Sequence, residues 1–152
     1  MPSKTRTIID EVESLKLGNL DAVRDWGHAA DYCAIYQEMM DKLCHGAQKD
    51  LMTYVIATNQ SCSVRQFVTE VYHQLGFTDL AWSGTGVETK FHGRIPGDKS
   101  NIKVILVEID AELFRPGEVP YLQGDTTRIE NDLGWKAKVA RLELIKEMIS
   151  FN

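Results

Sequence analysis

An unbroken apolar run just before a helix-capping sequence constrains the fold most strongly. Residues 53–58 contain Tyr-Val-Ile-Ala, and so short a run favours a strand that is buried on both faces, as in a parallel sheet. The S-x-x-Q sequence at 63–66 matches a capping box, in which the serine hydroxyl and the glutamine side chain satisfy backbone N–H groups. The helix that follows is predicted to run to about Leu75 and to stop at Gly76. This strand–turn–helix order predicts an α/β fold.

Periodicity and capping residues predict the other elements. The segment 84–100 is predicted to be a loop or an irregular insertion, because it holds four glycines and a proline. Asp125 can cap the helix predicted over 126–133, and Gly134 can end it. Gly46 is a plausible stop after the helix predicted over 28–43. Helices are predicted over 7–15, 28–43, 126–133 and 140–150, strands over 79–83 and 103–109, one helical turn over 110–113, and short extended pieces over 16–20 and 24–27.

Two of these helices are predicted to bury an apolar face, because their apolar residues recur at three- and four-residue spacing. The predicted core stripe of the 28–43 helix consists of Ala29, Tyr32, Cys33, Tyr36, Met39, Met40 and Leu43. The predicted core face of the last helix consists of Leu142, Ile145, Met148 and Ile149.

Length and charge limit the class of protein. The 152 residues suffice for one core and are too few for two domains, so a single domain over 1–152 is predicted, with residues 1–4 disordered. Seventeen basic against 22 acidic residues give a net charge of −5, which argues against a general nucleic-acid binder. Neither a membrane span nor a signal peptide is visible, and the predicted location is the cytoplasm.

Metal and catalytic motifs are missing from the sequence. The three cysteines form no C-x-x-C pair and are predicted to be free packing residues, with a reactive role as the alternative. The four histidines lack H-x-x-x-H spacing, so no local zinc site is predicted, and His28 is expected to be satisfied by backbone at a helix start. The sequence holds no G-x-G-x-x-G, P-loop, Tyr-x-x-x-Lys or G-x-S-x-G motif. No catalytic, cofactor-binding or metal-binding residue is therefore assigned.

Two arginine-centred segments remain as candidate binding sites. Arg24 stands just before a predicted helix start, where its paired donors and the field of the helix could hold a phosphate. Arg115 and Glu118 flank a Pro-Gly bend, where the arginine would suit a diphosphate and the acid the hydroxyls of a ribose. The alternative in each case is an ordinary surface ion pair, of Arg24 with Asp25 or Asp31, or of Arg115 with Glu112 or Glu118.

These segments together resemble a known family. The sequence L-G-N-L-D-A-V-R-D-W-G-H-A at 17–29 is similar to the L-G-N-L-D-A-x-R-D-W-G-H-A signature of GDP-mannose 4,6-dehydratases, which are extended short-chain dehydrogenases/reductases. The resemblance covers nearly the whole chain from about Thr5. Further matches follow in family order at 54–58, 63–68, 114–119, 122–125, 133–136 and 143–148.

The resemblance implies a part of an enzyme rather than a whole one. Family members begin with a Rossmann half that binds NADP and carries a Thr, Glu, Tyr and Lys catalytic set, and that half is missing here. The expected fold is a partial α/β one, the C-terminal substrate-binding half, with a few strands and flanking helices. The resemblance places Arg24 on the nucleotide-sugar side of the cleft, Arg115 at the diphosphate and Glu118 at the ribose.

The implied function is the GDP-sugar-binding portion of a dehydratase that converts GDP-mannose to GDP-4-keto-6-deoxymannose, in GDP-fucose biosynthesis. Alone, the chain is expected to be inactive, because it supplies neither a hydride carrier nor proton-transfer residues. The implied partners are GDP-mannose or a related GDP-sugar, and a Rossmann-containing relative or further copies of the chain. The alternative is a non-catalytic interaction module, or a remnant, that pairs with a full-length relative.

Several positions depart from the family pattern. Asn59 stands where the family usually has glycine, and a positive φ there would strain the turn. Cys62 replaces a usual histidine, and Val23 replaces a usual lysine, which removes a positive charge near the proposed phosphate site. Pro120-Tyr121 also differs from the family, and the stretch between Val12 and Lys16 is shorter.

Overall fold

The computed structural model describes residues 13–45, 53–115 and 117–151. Contacts divide the chain into two compact units, of which the first combines Met1–Ala22 with Ser63–Val119 and the second combines Val23–Cys62 with Pro120–Asn152. The elements in chain order are β1 (Leu15–Leu17), β2 (Val23–Asp25), α1 (Ala29–His45), β3 (Ser61–Ser63), α2 (Val64–Gln74), β4 (Thr78–Ser83), a 3-10 turn (Gly86–Glu88), β5 (Lys90–Arg94), β6 (Val104–Ile109), a second 3-10 turn (Ala111–Leu113), α3 (Thr127–Leu133) and α4 (Arg141–Ser150).

The first unit is a four-stranded mixed sheet covered by α2. The strand order is β1-β6-β5-β4, with β1 parallel to β6 and the other neighbours antiparallel. Phe91 of β5 is fully buried and contacts α2 through the ring of Tyr72, whose centroid lies 5.6 Å away. The ring of Trp82 stacks on Phe91 with centroids 4.3 Å apart. Val68 of α2 completes a core with Val104, Leu106 and Val107.

The predicted loop over 84–100 is wrong, because this segment contains β5. Phe91 and Gly93 are buried, whereas the alternating Lys90 and His92 are only half-buried, which is the one-sided burial of a strand. A Cβ at Gly93 would lie 2.7 Å from methyl groups of Leu80 and Leu106. The glycine therefore permits close packing in the core, although in the sequence it indicated a loop.

Local helix signals in the first unit are confirmed. The Ser63 hydroxyl accepts from the backbone N–H of Gln66 at 3.1 Å, as the capping box predicts. The Gln66 side chain, however, donates to Glu70 at 3.2 Å. The helix ends at Gln74, and Gly76 follows within two residues with φ +84°, a value that favours glycine. The predicted turn over 110–113 is present as a 3-10 turn.

The described helices of the second unit are α1, α3 and α4, and β2 pairs with β3 in a two-stranded sheet. Ile35 of α1 and Ile129 of α3 are fully buried, and Trp135 is 7% exposed. The backbone of 120–122 follows β2, since Val23 N donates to Pro120 O at 2.8 Å and Leu122 N donates to Val23 O at 3.1 Å. Gly134, at φ +68°, ends α3 as predicted.

The predicted buried strand over 53–58 is wrong. No strand is assigned to residues 53–60, and Val55 is 51% exposed while Tyr54 and Ile56 pack against the core. Only one side of the run is therefore buried. The Thr58 backbone N–H donates to the carboxylate of Asp25 and not to a neighbouring strand.

The predicted core stripe of α1 is also largely wrong. The buried residues of α1 are Asp31 and Ile35, whereas Tyr36 and Met40 are 57% and 56% exposed. The Asp31 carboxylate accepts backbone N–H groups of Lys138 and Val139 at 3.0 Å each, so a polar residue faces inward here. Other residues predicted to lie in the core are exposed: Ala29, Cys33, Leu43, Leu142 and Met148.

Two further outcomes concern single residues. Of the cysteines predicted to pack, Cys62 is buried, whereas Cys33 and Cys44 are exposed. Leu15, predicted to end a helix, belongs to β1. Residues 13 and 14 of that predicted helix are not helical either, whereas residues 7–12, the disorder at 1–4 and the stop at Gly46 fall outside the described residues.

Glu108 in β6 gives the first unit a testable pH dependence. Its carboxylate accepts hydrogen bonds from Lys16 and from Ser14 at 2.9 Å, and lies 3.3 Å from Lys90 Nζ. These contacts lower the pKa of Glu108 from an ordinary 4.5 to about 2, and the hydrogen bond from Lys16 has the largest effect. A carboxyl whose pKa is lowered in the folded state stabilises that state above its ordinary pKa, and this contribution is lost as the pH falls towards 2.

We therefore expect the free energy of unfolding to fall between pH 4.5 and pH 2, and to fall less steeply in Glu108→Gln. Urea titrations followed by circular dichroism across this range measure both slopes. Glu112→Gln, which changes an exposed carboxyl of the same unit, serves as the control with a wild-type slope. Equal slopes for the wild type and Glu108→Gln would contradict the assignment.

Candidate functional site

A cavity of about 490 Å³ opens beside Arg24 in the second unit. Arg24 and Asp25 of β2 and Tyr32 of α1 form one side of the cavity. Two separate segments, residues 55–57 and 122–125, form the other walls. The volume is in the range of small-molecule sites, and an arginine among mostly apolar walls is a common arrangement in them.

Arg24 is held by the strand that carries it. It is half-buried, and its Nη1 donates to the carbonyl of Val23 at 2.8 Å. The guanidinium presents five N–H donors in a planar fork, a geometry that matches paired phosphate oxygens. The structure thus places the arginine that the sequence singled out in the wall of a cavity.

Asp25 and Asp31, the two alternative partners of Arg24, both accept hydrogen bonds from backbone N–H groups. Asp25 Oδ1 accepts from the backbone N and the hydroxyl of Thr58 at 2.7 and 2.8 Å, and Asp25 Oδ2 accepts from Asn59 N at 3.0 Å. Asp31 accepts from the 138–139 backbone. Asp25 therefore fixes the turn at 58–59 against β2.

Gly27 makes room for Tyr32 at the cavity. A Cβ at Gly27 would collide with the Tyr32 hydroxyl and would lie 2.6 Å from Thr58 Cγ2. Burial of the Tyr32 ring, followed by the nearby charges of Asp25 and Asp31, raises the pKa of its phenol. Tyr32 is therefore neutral at physiological pH and can donate a hydrogen bond to a ligand.

Two further residues of the 17–29 signature, Trp26 and His28, form hydrogen bonds with neighbouring segments. Trp26 Nε1 donates to the carbonyl of Cys62 at 3.1 Å. His28 Nδ1 accepts from Ala30 N at 3.0 Å, which confirms a histidine satisfied by backbone at a helix start, and its Nε2 lies 2.8 Å from Glu147. The contact of Trp26 with Cys62 and that of His28 with Glu147 were not predicted from the sequence.

Gly124 brings the two walls of the cavity together. A Cβ on this residue would lie 2.7 Å from Ala57 Cβ and from Val55 Cγ1. Next to it, Asp125 accepts from Thr127 N at 2.9 Å, and hydrogen bonds with Thr127 lower the pKa of Asp125. An ionised carboxylate therefore stands at the edge of the cavity. Neither Tyr32 nor Gly124 was predicted to be a site residue.

Arg115 and Glu118 belong to the first unit. Arg115 is exposed and Glu118 is half-buried. Gly117 between them has φ +80°, a value that favours glycine. The predicted Pro-Gly bend includes Pro116, which lies outside the described residues. Arg115 and Glu118 thus both lie in the first unit, whereas Arg24 lies in the second. Their binding roles stay predictions.

The glycines of the described segments do not fit the diphosphate of a dinucleotide cofactor. Gly84 and Gly86 form a G-x-G pair, and both have positive φ. They lie in the connection between the antiparallel strands β4 and β5, and not between a strand and a long helix. Within residues 13–45, 53–115 and 117–151, no cluster of three potential metal ligands is found either. Of the described helices, none could cross a membrane.

Sequence comparison relates the chain to one family. A family model described as GDP-mannose 4,6 dehydratase matches residues 3–148. The human GDP-mannose 4,6 dehydratase is 38% identical over 147 residues, which cover 97% of this chain and 36% of the human protein. The Vibrio cholerae GDP-mannose 4,6-dehydratase is 40% identical, covering 89% of this chain and 36% of that protein. The chain thus spans about a third of the length of these curated relatives.

Solved structures support the fold. The chain is similar to RMD from Pseudomonas aeruginosa, solved with NADPH, with a TM-score of 0.58 and 15% identity over 97% of this chain and 39% of that one. It is also similar to UDP-glucose 4-epimerase from Thermotoga maritima, solved with UDP-glucose, with a TM-score of 0.62 and 17% identity over 97% and 37%. At such low identity these similarities concern the fold alone.

Proposed function

Because the chain belongs to the GDP-mannose 4,6 dehydratase family and has part of the extended short-chain dehydrogenase/reductase fold, we propose that it binds a GDP-sugar. The observation that carries the proposal is the cavity beside Arg24. Arg24 and Asp25 in its wall belong to the 17–29 signature, the segment that the sequence shares most specifically with the family. The substrate in the proposal is GDP-mannose or a close relative.

The chemistry of the cavity supports a phosphate near Arg24. Transfer of a phosphate from water into a partly apolar site is unfavourable unless charged donors replace its water. Arg24 supplies such a donor group, and Tyr32 can add a neutral hydroxyl donor. Asp125 at the edge carries a negative charge, so it would meet a neutral hydroxyl of the ligand more favourably than a phosphate.

Arg115 and Glu118 are proposed to contact the diphosphate and the ribose, respectively. This assignment rests on the family resemblance, and the positive φ of Gly117 is compatible with the bend that it requires. A carboxylate can accept from both hydroxyls of a ribose, which a neutral side chain of similar size does less strongly.

The chain is proposed to act as one substrate-binding portion, in the cytoplasm, without catalysis of its own. The described glycines do not fit NADP, so the cofactor would be held by a Rossmann-containing relative. When bound there, NADP supplies the hydride carrier of the family's chemistry. The contribution of this chain is to bind and orient the GDP-sugar.

Replacement of Arg115 by alanine tests the first-unit part of the proposal. We expect the affinity for GDP to fall by about 10-fold or more, because a charge-assisted hydrogen bond to phosphate contributes roughly 1.5–3 kcal/mol. Isothermal titration calorimetry measures the change. Lys103→Ala removes an exposed cation of the same unit and should leave the affinity within about twofold. Equal losses in both variants would indicate a general effect of charge and would contradict a specific role for Arg115.

A further inference from the structure

One residue in the wall of the Arg24 cavity, Ala57, has space on both sides. Ala57 lines the Arg24 cavity, and it also lines a second cavity of about 250 Å³, together with Thr58 and Asn59. Thr126, which follows the other wall segment at 122–125, lines the second cavity as well. Apart from its close approach to Gly124, this part of the wall borders open space, so hydrogen bonds of the residues that follow it contribute to its position.

Asn59 connects the two wall segments. It has φ +60°, the left-handed region in which asparagine is tolerated better than most residues. Its backbone N–H donates to Asp25 Oδ2 at 3.0 Å, and its side-chain Nδ2 donates to Thr126 Oγ1 at 2.6 Å and to Glu130 Oε1 at 3.3 Å. One residue thus binds β2 on one side and the start of α3 on the other.

The partners of Asn59 are themselves fixed. Thr126 is buried, with 3% of its surface exposed. Its hydroxyl donates to Glu130 Oε1 at 2.6 Å, so the lone pairs of this hydroxyl face Asn59. Lys136 Nζ lies 3.0 Å from Glu130 Oε2. The hydrogen bond from Thr126, followed by that from Lys136, lowers the pKa of Glu130, which keeps it ionised as an acceptor. Hydrogen bonds in such a chain polarise and strengthen one another.

We propose that Asn59 is a positioning residue of the GDP-sugar cavity, which sets the separation of its two walls through Thr126. This inference rests on the proposed function. Asn59 does not line the Arg24 cavity itself, so its effect on a ligand would pass through Ala57 on one wall and Asp125 on the other.

The test is a double-mutant cycle on the full chain, with GDP affinity measured by calorimetry. Asn59→Gly keeps the left-handed backbone and removes the side chain, and Thr126→Val keeps the shape and removes the hydroxyl. We expect each to weaken GDP binding by about 3- to 10-fold. The double variant should bind no more weakly than the weaker single variant, because both changes break the Asn59–Thr126 hydrogen bond. Thr126→Ser, which retains the hydroxyl, should restore wild-type affinity.

Gln60→Ala is the matched control. Gln60 is the next residue of the same turn, but its side chain accepts from Arg141 N at 2.9 Å and donates to Val139 O at 3.3 Å, away from the cavity. It should lower the free energy of unfolding without changing GDP affinity. Full additivity of Asn59→Gly and Thr126→Val, or unchanged affinity in both, would overturn the positioning role alone. A wild-type chain that binds no GDP would instead overturn the proposed function, and this inference with it.

Discussion

Alanine in place of Arg24 is expected to weaken GDP binding by about 10- to 100-fold. The estimate follows from the loss of charge-assisted hydrogen bonds in a partly buried site, each of which contributes roughly 1.5–3 kcal/mol. The other charged residues that line this cavity, Asp25 and Asp125, are acidic, so no lining residue can take over the role of Arg24. Calorimetric titration with GDP measures the loss directly, and circular dichroism checks that the fold is kept.

Two further variants sharpen the Arg24 experiment. Arg24→Lys keeps the positive charge but not the planar fork, and we expect an intermediate loss of affinity. Arg128→Ala removes an arginine of the same unit whose guanidinium carbon lies 5.5 Å from the ring centroid of Tyr54, outside the Arg24 cavity. It should bind GDP as the wild type does. Wild-type affinity in Arg24→Ala would contradict a phosphate at this position.

Ile35→Ala is expected to lower the free energy of unfolding by about 2–5 kcal/mol, the range for a large-to-alanine change in a core. Ile35 is 0% exposed and packs with Ile129 and Trp135 in the core of the second unit. Alanine would leave a cavity at the centre of this cluster. Urea unfolding followed by tryptophan fluorescence measures the change, since Trp135 lies in the same cluster.

Met40→Ala is the control, because Met40 is on the same helix and is 56% exposed. It removes a side chain of similar size, and we expect a change within about 0.5 kcal/mol. The comparison separates the two descriptions of α1, since the sequence pattern predicts Met40 in the core and the structure buries Ile35. A larger loss for Met40→Ala than for Ile35→Ala would contradict the observed orientation of the helix.

Features of the fold that depend on near neighbours in sequence could be predicted. The cap at Ser63 and the stops at Gly76 and Gly134 follow from contacts within one helical turn, and they form as expected. The inward face of α1 could not be predicted in this way. Asp31 is buried because its carboxylate binds backbone N–H groups of 138 and 139, more than a hundred residues along the chain.

The same distinction applies to the candidate site. Arg24 could be found because a long family signature contains it, but the residues that shape its cavity could not. Asp25 binds Thr58 across 33 residues, and Asn59 binds Thr126 across 67. No local pattern encodes such pairs. Asn59, noted only as a departure from glycine, adopts the positive φ expected there, and its side chain gains hydrogen bonds that a glycine cannot make.

The most direct test of the account is a calorimetric titration of the unmodified chain with GDP-mannose, with UDP-glucose as the comparison ligand. The account predicts saturable binding of GDP-mannose at one site per chain, which GDP displaces, and weaker binding of UDP-glucose. No binding of GDP-mannose or GDP by a folded chain would contradict the proposal that this part of the family's fold holds the GDP-sugar.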